Sequence, residues 1–211
     1  MTTNPQMEAL MGIIENVIEE LRKFRYLGEQ VLEDGTVLVG KAPHIAPNAW
    51  LHSIHRALND GEILALETML GLNIPEEYKM FLKYANGIKV FNTTFCLDGL
   101  RKNYGRSVNH VWQPFDIVIP NIQERPMAAT SNMFFIGGYD WDGSLLYIDK
   151  LTDKVHLCDQ NDARSVYQWE NFGVMLSTEI YRLITLFDSN GREKDSNMST
   201  LPTNSGASMQ R

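Results

Sequence analysis

From Met7 to Phe24, apolar residues return every three or four positions, at Met7, Leu10, Ile14, Val17, Leu21 and Phe24, with polar residues between them. An α-helix completes a turn in 3.6 residues, so this spacing lays one apolar stripe along a helix. Asn4 can cap that helix, and Pro5 suits its first position, where a missing N–H costs nothing. The next run, "YLGEQVLEDGTVLVGKA", has Asp34 and Gly35 between two short β-prone stretches and predicts a hairpin whose tight turn uses positive φ at that pair. After Pro43 and Pro47, Trp50, Ile54 and Ala57 predict a short helix, and Glu62 to Leu70 predict another that Gly71 ends.

The clearest helical signal is "NIPEEYKMFLKYANGI", residues 73–88. Pro75 fits a first helical position, and Glu76 and Glu77 place negative charge at the positive end of the helix dipole. Ile74, Tyr78, Phe81, Leu82 and Ala85 share one side, Lys79 and Lys83 point away, and Asn86-Gly87 supplies a left-handed stop. An aromatic face of this kind is laid on something flat. The runs "IKVFNTTFCL" (88–97), "FDIVIP" (115–120), "MFFIGG" (133–138), "SLLYIDK" (144–150) and "KVHLCD" (154–159) predict the strands of that sheet, the last two joined as a hairpin by Leu151-Thr152-Asp153. From Gln168 to Phe187 the helical period returns, with Trp169, Phe172, Leu176, Ile180, Leu183 and Phe187 on one face. The expected fold is therefore α+β, a twisted and mostly antiparallel sheet with helices packed on one face. Residues 1–58 read as an N-terminal helical and hairpin extension packed on the core, 59–188 as the α+β domain, and 189–211 as a polar disordered tail.

Composition narrows the class. With 44% hydrophobic and 21% charged residues in a chain of 211, a sizeable core can form without disulfides or metal. Cys96 and Cys158 are too few and too far apart for a disulfide framework or a CxxC pair, and read as buried thiols. A net charge of -7 argues against a counterion-releasing basic surface, so direct nucleic-acid binding is not expected and a basic protein partner fits better. No apolar run approaches the ~20 residues of a membrane span, and the start lacks a signal-peptide pattern, which predicts a cytoplasmic protein.

Four segments in order resemble the SUKH superfamily, the group named for yeast cell-wall-synthesis regulators and known in bacteria mainly as immunity proteins of polymorphic toxin systems. "IPEEYKMFLKYANGI" is similar to its Leu-Pro-x-x-Tyr-x-x-Phe-Leu-x-x-x-Asn-Gly signature, and "FFIGGYDWDGSLLYIDK" to its strand, glycine-acid turn and strand. "KVHLCD" resembles the following strand and "WENFGVMLSTEI" the C-terminal Phe-x-x-Leu helix, so the likeness covers about residues 60–188. Ile74 stands where the signature has Leu, and Arg101 to Pro114 reads as an insertion. The resemblance implies a non-catalytic binding protein without cofactor, one that neutralises a cognate toxin by direct contact. Its eukaryotic members imply a second possibility, a regulatory scaffold.

The candidate chemistry agrees with binding more than with turnover. His52 and His55 have the i, i+3 spacing that puts two imidazoles on one helix face, with His44 nearby, yet no Cys or Glu completes a metal motif. Asp140 and Asp142 in "YDWDGS" start like a calcium loop but lack its later ligands, so Asp142-Gly143 reads as a β-turn. That turn is expected to project Tyr139, Asp140, Trp141 and Asp142 outward, with Asp98 beside them, as an acidic and aromatic patch for Lys or Arg of a partner. There is no G-x-S-x-G elbow and no phosphate-binding glycine loop, and His110 and His156 stand without the partners that acid-base catalysis needs.

Overall fold

A computed structural model describes residues 5–105 and 111–203; Asn4 with its capping role, His110 and residues 204–211 lie outside the described residues. Helix α1 (Pro5–Arg22) and a 3-10 turn (Lys23–Leu27) lead into β1 (Glu29–Val31), β2 (Val37–Lys41) and β3 (Trp50–Arg56). Helices α2 (Asp60–Leu70) and α3 (Glu76–Leu82) precede β4 (Ala85–Val90) and β5 (Phe95–Leu97). After a π-helical turn (Ile119–Gln123) come β6 (Met133–Tyr139), β7 (Leu145–Asp149), β8 (Val155–Cys158), β9 (Ser165–Trp169) and α4 (Phe172–Leu186). The strands make one open nine-stranded sheet in chain order, each antiparallel to the next. The fold is α+β.

The main core lies between the sheet and α1, α3 and α4. Leu10, Ile14, Val17 and Leu21 bury the predicted stripe of α1, and Phe172, Leu176, Ile180 and Leu183 bury that of α4. Tyr78, Phe81 and Phe172 pack ring on ring, with centroids 5.4–5.5 Å apart, and fix α3 to α4. Alternate strand residues face opposite sides of a sheet, so Phe134 joins this core while Phe135 points to the other face. There Phe135, Tyr147, Cys158 and Ala163 form a small second core. The π-helical turn is pinned to that face by Asn121, which donates to the carbonyls of Ile117 and Phe135 and accepts from the Phe135 N–H.

Several expectations are corrected. Trp50 to Ala57 is no helix: Trp50 to His55 are all buried in β3, between β2 and β4. A strand covered on both sides shows no alternation, so its apolar positions imitate a helical period. The β1–β2 turn has positive φ at Gly35 but not at Asp34, whose carboxylate instead accepts from the Thr36 N–H. Pro75 is the N-cap of α3 in an extended conformation, not its first residue. Asn86 and Gly87 do not end that helix, which stops at Leu82; they lie inside β4. "FDIVIP" supplies a single bridge between Asp116 and Gly99 and the start of the π-helical turn, not a strand. Trp169 closes β9 rather than lying on a helix, and α4 starts at Phe172 behind an Asn171 cap that accepts from the Val174 N–H.

Residues 189–203 were expected to be disordered and instead run back over the molecule. Glu193 bridges Phe187, the Lys194 N–H donates to Leu186, and Gly191 sits against Leu51. The Thr200 carbonyl accepts from Arg182 at 2.6 Å, and Leu201 packs on the main core. Backbone hydrogen bonds and one arginine hold most of this segment, with Leu201 its apolar contact, and a search for apolar anchors does not see the former. At its other end the sheet is continuous through β3 into β4, and α1 packs on α3 and α4.

Candidate functional site

Residues paired across antiparallel strands share a face. Ser53, Lys89, Cys96, Gly138, Leu145 and Cys158 form one such row from β3 to β8, on the side that α1, α3 and α4 leave open. Asp98, two residues beyond Cys96, lies on the same side. Here the sheet and the loops above it enclose a cleft of about 570 Å³. Cys96, Asp98, Gly137 and Gly138 lie at its floor, Arg101, Tyr104, Phe115, Asp116, Ile119 and Pro120 on one side, and Asp140, Ser144 and Gln160 on the other.

The signature helix and the Asn-Gly pair build this floor. The Tyr78 hydroxyl reaches through the sheet to the carbonyls of Asp98 at 2.5 Å and Ile136 at 3.0 Å. Asn86, buried in β4, donates to the Leu100 carbonyl at 2.9 Å and accepts from the Leu100 N–H at 2.6 Å. Between these two anchors Gly99 pairs in parallel with the 115–117 segment, its N–H donating to Phe115 and its carbonyl accepting from Ile117. That pairing sets Asp116 next to Asp98. A Cβ on Gly137 would strike the Cys96 carbonyl, and one on Gly138 the Ser144 carbonyl, so the strands close under the cleft only because both positions are glycine. Asn86→Ala leaves two buried backbone groups unpaired and is expected to cost about 2 kcal/mol in a urea melt.

The electrostatics are unusual for a binding face. Burial first, then the negative charge of Asp116, pushes the Asp98 carboxyl up to about 7, with Lys89 opposing. The Lys89 ammonium lies 4.4 Å from the centre of the Phe115 ring, and burial lowers its pKa. Asp116 accepts from the Tyr104 hydroxyl and from the Val118 N–H. Burial holds the Cys96 thiol far above the ordinary thiol range, so it carries no thiolate at neutral pH. The Ser144 hydroxyl is buried and has no hydrogen-bond partner among the described residues, while its N–H donates to Asp142 at 2.9 Å.

The predicted patch is therefore divided. Asp140, Trp141 and Asp142 are exposed on the β6–β7 turn, where Asp140 accepts from the Thr93 hydroxyl. Asp98 is in the cleft floor rather than outside it, only 7% exposed. Tyr139 faces the main core, where its hydroxyl donates to Glu179 of α4 at 2.6 Å. Arg101, Tyr104, Asp116 and Ser144 were missed. Asp116 was hidden in a run that reads as a strand, and Arg101 and Tyr104 in a segment that reads as an insertion.

His52 and His55 do not share a helix face. An odd spacing on β3 sends them to opposite sides of the sheet, and burial lowers each to about 3, which keeps both neutral. His52 Nδ1 accepts from the Phe91 N–H, and His44 lies in the loop after β2. Among the described residues no three His, Cys, Asp or Glu groups converge as a metal site, and no helix is long and apolar enough to cross a membrane.

A search of curated proteins finds no match to the chain. The sequence pattern of the SMI1 / KNR4 family (SUKH-1) matches residues 57–178, more than half of the 211, from the end of β3 into α4. Tyr78, Asn86, Asp98, Asp116, Gly137 and Ser144, the residues that make the cleft, all fall inside that span. The chain belongs to the SMI1 / KNR4 family (SUKH-1).

Proposed function

We propose that this protein is a cytoplasmic immunity-type module that seats a basic protein toxin on its open sheet face and neutralises it by direct contact. Family membership supports an immunity or regulatory role, and the observation that carries the reading further is the acidic cleft on the face free of α1, α3 and α4. The cleft is furnished for contact rather than turnover. The Cys96 thiol is not activated, and among the described residues no base is hydrogen-bonded to the Ser144 hydroxyl. Asp140, Trp141 and Asp142 extend the acidic surface past its rim, where charge raises the association rate and an aromatic ring slows release.

The test is co-expression with the toxin encoded beside this gene. Survival of the cells and co-purification of the pair are expected; killing at full expression of both, without a complex, would refute the proposal. In that complex Asp140→Asn is expected to slow association about threefold at low salt and hardly at all at high salt, read by stopped flow.

A regulatory adaptor is the second reading, favoured by another groove of about 790 Å³ between the β1–β2 hairpin and Lys102, Asn103, Trp112 and Gln113. Because β3 pairs with β4, removing residues 1–58 would tear the sheet; Val31→Glu, on the exposed groove wall, is the cleaner probe. Loss of partner binding in that variant, with binding retained in Asp140→Asn, would favour the adaptor.

A further inference from the structure

The cleft holds more acid than it uses. Among the described residues, Asp98, Asp116, Glu124 and Asp140 line it with Arg101, and the charge of Lys89 acts on Asp98. Arg101 is directed elsewhere, donating to the carbonyls of Asn103 and Pro114 and lying 5.6 Å from the Tyr104 ring centre. The Lys89 ammonium lies over the Phe115 ring and feels the charge of Asp98 without a close ion pair among the described residues. The Asp98 carboxylate thus stays in the floor without a hydrogen bond or ion pair among the described residues, although it is almost wholly buried.

An almost wholly buried carboxylate without a hydrogen bond costs folding energy, and Asp98 lies where an incoming donor can satisfy it. Phe115, Ile119, Pro120 and Leu145 add apolar surface to the same cleft. An acceptor beside apolar surface matches a long aliphatic stem that ends in a cation.

Resting on the reading of this face as a protein-binding surface, we infer that the cleft is a socket for one cationic side chain, arginine or lysine, presented by the protein partner. Its head group donates to Asp98, and its stem packs on Phe115, Ile119 and Leu145. The ionisable groups that interact with Asp98 are Asp116, Lys89 on β4, Cys96 on β5 and Tyr78 on α3; Arg101, Glu124 and Asp140 line the same cleft. A cation binds the ionised carboxylate, so affinity rises with pH up to about 7 and levels off above it.

The experiment titrates n-butylguanidinium, with neutral n-butylurea as its control, into the full-length protein and follows backbone amide shifts at pH 8 and pH 6. Butylguanidinium is expected to move the amides of Asp98, Gly138 and Ser144, to bind at least tenfold tighter than butylurea, and to weaken several-fold at pH 6. Asp98→Asn, checked by thermal melt for an intact fold, is expected to lose about tenfold of that affinity. Equal binding of the two probes, or unchanged binding in a folded Asp98→Asn, overturns the inference. A toxin complex insensitive to Asp98→Asn sinks the socket and leaves the partner reading standing; probe binding without any protein complex overturns both.

Discussion

Arg182→Ala is expected to destabilise the protein by about 3 kcal/mol, lowering its melting temperature by roughly 6–12 °C. The reason is a carboxylate in the main core. Glu179 is 2% exposed on α4 and accepts from the Tyr139 hydroxyl and from Nε and Nη2 of Arg182 at 2.6–2.9 Å. Removing the arginine leaves a buried negative charge with one hydroxyl for company, a situation that costs several kcal/mol because water is no longer there to solvate it. Part of that is recovered by solvent, since the Arg182 side chain is 27% exposed, which places the figure at the lower end. Arg182 also donates to the Thr200 carbonyl, so the variant should free residues 188–203 to exchange their amide hydrogens faster. The double variant Arg182→Ala with Glu179→Gln is expected to regain most of the loss, because no charge is then stranded. A single variant that costs less than 1 kcal/mol in a denaturant melt would mean water already reaches Glu179.

The same network shows why some of the architecture could be read from the sequence and some could not. α1, α2, α3 and the β6–β8 strands follow from local period and turn chemistry, since each has one face in a core and one toward solvent or a loop. β3 breaks that rule. Both of its faces are covered, and Trp50 and Ile54, with Ala57 just beyond, read as a helical stripe. Charged residues mislead in the opposite direction: sequence logic puts Asp98 outside because isolated carboxylates are solvated, whereas Tyr78 holds its carbonyl from 20 residues away and Asn86 holds Leu100, two residues on, from 14 residues away. Asp116 reaches it only through the Gly99 bridge. The cleft is a product of long-range pairing. The signature "IPEEYKMFLKYANGI" was legible as a motif, but its tyrosine and asparagine act on a segment that the motif does not contain.

Asp98→Asn is expected to make the protein more stable at pH 8, by as much as about 4 kcal/mol, while leaving stability at pH 4 nearly unchanged. The ordinary carboxyl value is 3.8 and the folded value is about 7. Between those limits the folded protein keeps a proton that the unfolded chain has released. Stability that the protonated carboxyl provides is complete below 3.8, falls at about 1.4 kcal/mol per pH unit, and is gone above 7. Asparagine has nearly the same shape and never ionises, so the slope between pH 4 and 7 should flatten in the variant; an unchanged slope in urea melts would show that Asp98 is already solvated. A residue whose isosteric replacement strengthens the fold is kept for another reason than folding. The socket supplies one: a partner's cation entering the cleft stabilises the ionised carboxylate, so the energy lost in the free protein is returned on binding. The stabilised variant should therefore be the weaker binder, and the two measurements on one substitution, a higher melting temperature and a lower affinity for butylguanidinium, separate a functional carboxylate from one that only fills space.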